Sequence, residues 1–168
     1  MKYGNNKMLI LNTGGTLNKR YNLLNGELEV PVDNQAVEKI LESVNEKYNL
    51  AGVVYKDSLE MDSNDRKMLA SIIMESTDDT FIIIHGTDTM DVTAEFLDEI
   101  FDDRKIILVG AMKPFELEKV ESSFNIGMAI GYSKAIEYNG VYICMSGYVE
   151  PWDKLTKNRS KGKFEIVQ

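Results

Sequence analysis

The fold class of this 168-residue chain is clearest in one stretch, Phe81-Ile82-Ile83-Ile84-His85-Gly86-Thr87-Asp88-Thr89. Four consecutive apolar residues, three of them β-branched, are typical of a strand that is covered on both faces. Glycine and short polar residues follow at once, as they do where a strand turns toward a helix. The stretch therefore predicts a buried parallel strand with a polar loop at its carboxyl end.

Similar apolar runs alternate with helical patterns along the chain. Strands are predicted at residues 8–11, 50–55, 81–84, 106–109 and 141–145. The spacing of apolar residues predicts helices over residues 33–48, from Asp62 onward, around residues 92–101, and from Ser122 or Ser123 to about Tyr138. Alternating strands and helices require right-handed crossovers, which place helices on both faces of a parallel sheet. We therefore predict an α/β fold, an open, doubly wound, mainly parallel sheet, with residues 1–168 as a single domain.

The same helical spacing directs particular side chains inward. Val44, Met68, Val92 and Ile100 are predicted to face the core. Two regions fit none of these elements. Residues 17–32 contain Asn25-Gly26, a strong hairpin signal, and are predicted to form a flap. Residues 146–168 are rich in lysine and are predicted to form a basic tail.

Composition excludes several classes of function. The formal charge of −8 argues against binding to nucleic acid or to anionic membranes. One cysteine and one histidine rule out a disulfide framework, a cysteine zinc site and a histidine-rich metal centre, and no cofactor is expected. The sequence shows no run of 18 apolar residues and no apolar secretory segment at its start, so a cytoplasmic location is expected.

Polar residues cluster after the predicted strands. Ligands of open parallel sheets bind beyond the carboxyl ends of the strands, where Thr13-Gly14-Gly15-Thr16 follows the first strand. That loop matches neither the dinucleotide fingerprint nor the phosphate-binding loop, so a hydroxyl nucleophile is the sharper hypothesis. Its base could be Asp88, Tyr21 or a lysine with a lowered pKa, because His85 is more typical of a structural residue bonded to the backbone. Ser58 alone is better explained as an ordinary turn residue.

Two motifs resemble those of the bacterial-type L-asparaginases. They are Leu11-Asn12-Thr13-Gly14-Gly15-Thr16-Leu17 and Ile84-His85-Gly86-Thr87-Asp88-Thr89-Met90, and the similarity continues through residues 109–114 and 140–157. The resemblance implies a Rossmann-like N-terminal asparaginase domain. Members of that family carry a second, C-terminal domain, and this chain ends soon after Lys157, so it resembles the N-terminal domain alone.

The resemblance also implies catalytic residues. Thr13 matches the threonine that attacks the side-chain amide and forms an acyl-enzyme, and Tyr21 is the candidate flap tyrosine that activates it. Thr87, Asp88 and Lys157 match a second catalytic group. Beside Asp88, the Lys157 side chain would either be kept uncharged by desolvation or act as a cation that makes the Thr87 hydroxyl more acidic. This arrangement predicts that Lys157 returns from the basic tail to within hydrogen-bond reach of Thr87 or Asp88.

Substrate contacts are implied in the same way. Ser58 would hold the substrate carboxylate, Asp88 would take its ammonium, and Thr87, beside Asp88 in the same motif, would also contact the substrate. Glu60 falls where an acidic residue often lies in that loop, and Ala111 belongs to the fourth-strand loop that matches the family.

The favoured hypothesis is therefore an amidohydrolase that converts a side-chain amide, such as that of asparagine, to the acid and ammonia. The alternative is a non-catalytic small-ligand binding or regulatory domain that uses the same pocket. Tyr21 and Lys157 distinguish the two hypotheses, since catalysis needs both near the site. The expected partner is a small amino-acid amide. Self-association into a homodimer is expected because, without the family's second domain, the surface which that domain would cover is left exposed.

Overall fold

The computed structural model describes residues 8–167, which form ten strands and four α-helices. The strands are β1 Met8–Gly14, β2 Arg20–Asn22, β3 Glu27–Glu29, β4 Asn49–Lys56, β5 Thr80–Ile84, β6 Lys105–Val109, β7 Gly140–Met145, β8 Tyr148–Pro151, β9 Leu155–Asn158 and β10 Lys163–Ile166. The helices are α1 Gln35–Leu41, α2 Ser63–Glu75, α3 Met90–Asp98 and α4 Lys119–Ala135.

The central sheet confirms the predicted fold class. Its strand order is β4-β1-β5-β6-β7-β8, in which β4, β1, β5, β6 and β7 run parallel and β8 is antiparallel. Ile82 of β5 pairs with Ile10 of β1 on one side and with Ile107 of β6 on the other. The apolar run that suggested a buried strand therefore lies in the interior of the sheet, with every one of its residues buried.

Helices cover both faces, as predicted. On one face the core contains Leu69 of α2 and Leu97 of α3, and on the other it contains Val37 of α1 and Ile126 of α4. Between residues 8 and 167 no helix is both long enough and apolar enough to cross a bilayer.

Three helix predictions need correction. The first helix ends at Leu41 and not near residue 48, and Val44 is exposed because it lies beyond that end. Met68, Val92 and Ile100 are also exposed. The buried stripe on α2 consists of Leu69 and Ile73, one turn apart, which turns the neighbouring Met68 to solvent.

The start of α4 also differs from the prediction. Its N-cap is Glu118, whose carboxylate accepts hydrogen bonds from the N–H groups of Val120 and Glu121. Ser122 lies inside the helix and is buried. By contrast, Asp62 caps α2 as predicted, in a reciprocal capping box with Asp65.

The basic tail is folded. It contains β8, which extends the sheet, and the β9–β10 hairpin. Leu155 and Phe164 of that hairpin are buried in the same core cluster as α2 and α3. This packing brings Lys157 and Arg159 back to the loop that follows β5.

Candidate active site

Three loops meet where β1, β4 and β5 end. A Cβ atom on Gly15 would lie only 2.4 Å from the Gly86 nitrogen, and one on Gly86 would lie 2.6 Å from the Ser58 Cβ. Gly15 also has a φ of 75°, a left-handed conformation that favours glycine. Glycine at these two positions therefore allows the three backbones to touch, which brings the polar residues of the loops together.

Two buried asparagines fix the first loop. The Asn12 and Asn18 side chains exchange hydrogen bonds of 3.0 Å in both directions. Asn12 also accepts from the Gly14 N–H at 3.0 Å, and Asn18 donates to the Gly14 carbonyl at 2.6 Å. These bonds satisfy the polar groups of a buried turn and hold the residues between them in one conformation.

The structure argues against Thr13 as the nucleophile. Thr13 is 0% exposed and its hydroxyl donates to the Ile84 carbonyl at 2.8 Å. It is the penultimate residue of β1, so its side chain is bonded to the neighbouring strand and is not available to a ligand. Thr16, on the other side of the two glycines, begins a short 3-10 turn and is partly exposed. The sequence interpretation missed Thr16 because one loop offers two threonines.

Lys157 makes the contact that the sequence predicted. Its ammonium donates to the Thr87 hydroxyl and to an Asp88 carboxylate oxygen, both at 2.8 Å. The Lys157 side chain is 12% exposed and that of Asp88 is 32% exposed, so this ion pair is shielded but not sealed from water. A solvated tail lysine would not be held in this way, so Lys157 is packed against the Thr87–Asp88 loop and is not a free surface charge.

Arg159 also reaches the site, and the sequence interpretation missed it. Its guanidinium donates to the Asp88 main-chain carbonyl at 2.7 Å and lies 3.8 Å from the Asp88 carboxylate. Arg159 lies in the turn just beyond the end of β9, so strand periodicity gave no signal for this contact. Asp88 thus forms ion pairs with two cations, the shielded Lys157 and the largely exposed Arg159.

Ser58 is almost fully buried in the 3-10 turn that follows β4. Its hydroxyl accepts from the Asp88 N–H at 3.3 Å, and its carbonyl accepts from the Thr89 hydroxyl at 2.8 Å. The neighbouring Asp57 pairs with Lys19 at 2.6 Å. Burial alone would raise the pKa of Asp57, but hydrogen bonds from Lys19 and from the Leu59 N–H outweigh it and lower that pKa. The Ser58 turn is therefore tied to both of the other loops.

The remaining predicted residues are not brought together. Tyr21 lies on β2 and is 53% exposed, and its hydroxyl lies beside Gly26 at the turn of its own hairpin. Glu60 is exposed on the Ser58 turn. The Ala111 side chain is buried in the core beside α1 and α4, so only its backbone could meet a ligand. The hairpin predicted from Asn25-Gly26 is present.

A cleft separates the hairpin from the Ser58 turn. It has a volume of about 560 Å³ and is lined by Lys19, Tyr55, Asp57, Leu59, Glu60 and residues 27–30. The flap is anchored at its base, because the Tyr21 N–H donates to the Glu116 carboxylate at 2.7 Å. A closing movement of the hairpin would narrow this cleft.

His85 has the structural role that the sequence favoured. Its Nδ1 lies 2.7 Å from the Gly86 carbonyl and its Nε2 lies 2.8 Å from the Thr93 hydroxyl. Burial lowers the pKa of His85 to about 4, although the hydrogen bond to the Gly86 carbonyl favours the protonated ring. Both ring nitrogens therefore have hydrogen-bond partners. Between residues 8 and 167 there is no group of three or more side chains that could bind a metal ion.

Acidification should therefore destabilise the fold through His85. In the unfolded chain the ring takes up a proton near pH 6.5, whereas in the folded chain it does so near pH 4. Between these values the unfolded state binds more protons, so the free energy of unfolding should fall by about 3 kcal/mol as the pH is lowered from 7 to 4. Chemical denaturation at several pH values measures this fall. In His85→Gln the fall in the free energy of unfolding above pH 4.5 should disappear. An equal fall in the variant and the wild-type protein would show that His85 is not its cause.

Comparison with known proteins agrees with this architecture. The family model described as "Asparaginase, N-terminal" matches residues 7–164. "L-asparaginase 2" of Escherichia coli (strain K12) is 32% identical over 139 residues, which are 77% of this chain and 40% of that protein. "Glutaminase-asparaginase" of Acinetobacter glutaminasificans is 26% identical over 166 residues, which are 90% of this chain and 50% of that protein.

The fold has solved counterparts. The thermostable L-asparaginase from Thermococcus kodakarensis superimposes with a TM-score of 0.82 at 20% identity, over 95% of this chain and 51% of that one. The chain thus spans about half the length of the relatives that it matches. With a family model that covers nearly all its residues, the chain belongs to the asparaginase family and corresponds to the N-terminal domain of that family.

Proposed function

We propose that this chain carries the catalytic centre of an L-asparaginase-type amidohydrolase, which releases ammonia from the side-chain amide of an amino acid such as asparagine. The observation that supports it most strongly is the group formed by Lys157, Thr87 and Asp88. An ammonium held at 2.8 Å from a threonine hydroxyl stabilises negative charge on that oxygen and so makes the hydroxyl a better acid. A binding pocket alone has no need of an acidified hydroxyl.

Thr16 is the nucleophile in this proposal. Thr16 is partly exposed, and Gly15 before it packs against Gly86, which precedes Thr87. The Thr16 oxygen attacks the amide carbon, its proton passes through the Thr87 hydroxyl to the departing nitrogen, and ammonia leaves. A water molecule then cleaves the resulting ester, which restores the Thr16 hydroxyl and releases the acid.

Ser58 and Asp88 would bind the substrate backbone. The Ser58 hydroxyl accepts from the Asp88 N–H, which leaves its own proton for a substrate carboxylate. The Asp88 carboxylate is about one-third exposed and could take an ammonium in addition to its contact with Lys157. Glu60 and the Ala111 backbone remain proposed substrate contacts, since both follow strands at the same carboxyl end of the sheet.

The flap should become ordered when ligand binds. Residues 17–32 should exchange amide hydrogens rapidly in the free protein and more slowly with aspartate bound, because closure over the cleft shields the hairpin. Hydrogen exchange read by mass spectrometry measures this, with the buried amides of β5 as an internal control. Equal exchange of the flap in both states would count against a lid.

A binding or regulatory domain remains the second candidate. It is favoured by the position of Tyr21, whose hydroxyl lies over its own hairpin turn and not beside a site threonine. Measuring ammonia release from asparagine and from glutamine separates the two functions. Release that depends on Thr16 supports the amidohydrolase, whereas calorimetric binding of aspartate without any ammonia release supports the binding domain. The cytoplasmic location and the homodimer stay predictions.

A further inference from the structure

Arg66 is a buried cation that the proposed reaction does not use. It lies on α2 and is 9% exposed. Its Nε donates to the Thr93 hydroxyl at 2.9 Å, and its terminal nitrogens donate to the Met61 carbonyl at 3.2 Å and to the Thr89 hydroxyl at 3.1 Å. Among the salt bridges of residues 8–167 there is none that involves this guanidinium. Burial of a charge is costly, so an arginine that is buried among neutral oxygens is expected to have a specific role.

The direction of every hydrogen bond in the first branch follows from its two ends, because Arg66 can only donate and the Gly86 carbonyl can only accept. At one end the Thr93 oxygen accepts from the Arg66 Nε. At the other end Nδ1 of His85 lies 2.7 Å from the Gly86 carbonyl, so Nδ1 carries the ring proton and donates it. In the neutral ring Nε2 is then the acceptor, and the Thr93 hydroxyl at 2.8 Å donates its proton to it. One tautomer of His85 satisfies the whole chain of bonds.

The second branch reaches the other loop. The Thr89 oxygen accepts from Arg66 and donates its proton to the Ser58 carbonyl at 2.8 Å. Gly86 precedes Thr87, the residue bonded to Lys157, and Ser58 is the proposed carboxylate contact. The two branches thus end on the two loops that flank the substrate position.

We propose that Arg66 is a positioning residue that sets the spacing of the Thr87 loop and the Ser58 loop through Thr93, His85 and Thr89. The importance of this spacing for turnover rests on the proposed function, but the bond network does not. A planar guanidinium suits the task because its nitrogens diverge in fixed directions, whereas a lysine ammonium on a flexible stem cannot hold both threonines in place.

The ring ¹⁵N signals of His85 test the network without any substrate. This is the only histidine in the chain, so these signals need no assignment. The wild-type protein should show a protonated Nδ1 and an unprotonated Nε2 that accepts a hydrogen bond. Thr93→Val removes the donor to Nε2, so the Nε2 signal should move toward that of a ring nitrogen with no hydrogen bond, while Nδ1 stays protonated against the Gly86 carbonyl. Arg66→Met removes the cation that orients and polarises the Thr93 hydroxyl, so the Nε2 signal should move in the same direction. Thr93→Ser should keep the wild-type pattern, and so should the control Lys67→Met, which changes an exposed neighbour of Arg66 on α2.

A second readout addresses positioning. Turnover in Arg66→Met should fall on the order of 100-fold in kcat, as expected when reacting groups move by about 1 Å. Arg66→Lys should not restore it, and Lys67→Met should match wild type. An Nε2 signal that is unchanged in both Thr93→Val and Arg66→Met would overturn the network. An altered Nε2 signal in Arg66→Met with unchanged kcat would overturn the positioning role, whereas a wild-type protein that releases no ammonia but shows the expected ring signals would refute the proposed function and leave the network standing.

Discussion

Replacing Thr16 by alanine is expected to abolish ammonia release while leaving the fold intact. Loss of an attacking hydroxyl should lower kcat by a factor of at least about 10⁴. The free energy of unfolding should change by less than about 1 kcal/mol, because the Thr16 side chain is partly exposed and makes no hydrogen bond among residues 8–167. A coupled assay of ammonia measures kcat, and urea denaturation measures the free energy of unfolding.

Thr13→Val is the matched control for that variant. It keeps the shape of a fully buried side chain and removes only the hydrogen bond to the Ile84 carbonyl. We expect a loss of about 1 kcal/mol in stability and activity within roughly tenfold of wild type. The opposite pattern, with Thr13→Val inactive and Thr16→Ala active, would return the nucleophile to Thr13.

Replacing Lys157 by methionine is expected to have the second largest effect. Without the ammonium, the Thr87 hydroxyl loses the charge that makes it acidic, so kcat should fall by about 10²- to 10⁴-fold. Asp88 would keep only the more exposed Arg159, and because its carboxylate is partly solvated the loss of stability should be about 1–2 kcal/mol.

Lys161 and Lys163 provide the controls for this prediction. Both belong to the same basic tail, both are more than half exposed, and both pair with Glu165 instead of Asp88. Their methionine variants should retain wild-type kcat and stability. If all three variants behaved alike, Lys157 would be a surface charge and the amidohydrolase proposal would lose its main support.

Much of the fold could be predicted from local pattern. The apolar run from Phe81 to Ile84 marked an interior strand because burial on both faces leaves no place for polar residues. Asp62 marked a helix start because its carboxylate satisfies free N–H groups. Features that depend on tertiary packing were missed, such as β9 and β10, which are short and largely polar and whose burial depends on the packing of Leu155 and Phe164 into the core.

The site was predicted less completely for a related reason. Thr13 and Thr16 flank the same two glycines, and only the end of β1 determines which hydroxyl is accessible. The hydrogen bond between Arg66 and Thr93 joins residues that are 27 positions apart, and no sequence motif predicts it. By contrast, Lys157 could be placed from the resemblance alone, although it lies 70 residues from Thr87.

The covalent step is tested most directly by adding hydroxylamine during turnover of asparagine. An acyl-enzyme on Thr16 can be attacked by hydroxylamine as well as by water. We therefore expect aspartate β-hydroxamate to form at the expense of aspartate, with no loss in the rate of ammonia release. The Thr16→Ala variant should form neither product. Ammonia release that yields only aspartate at every hydroxylamine concentration would contradict a threonine acyl-enzyme.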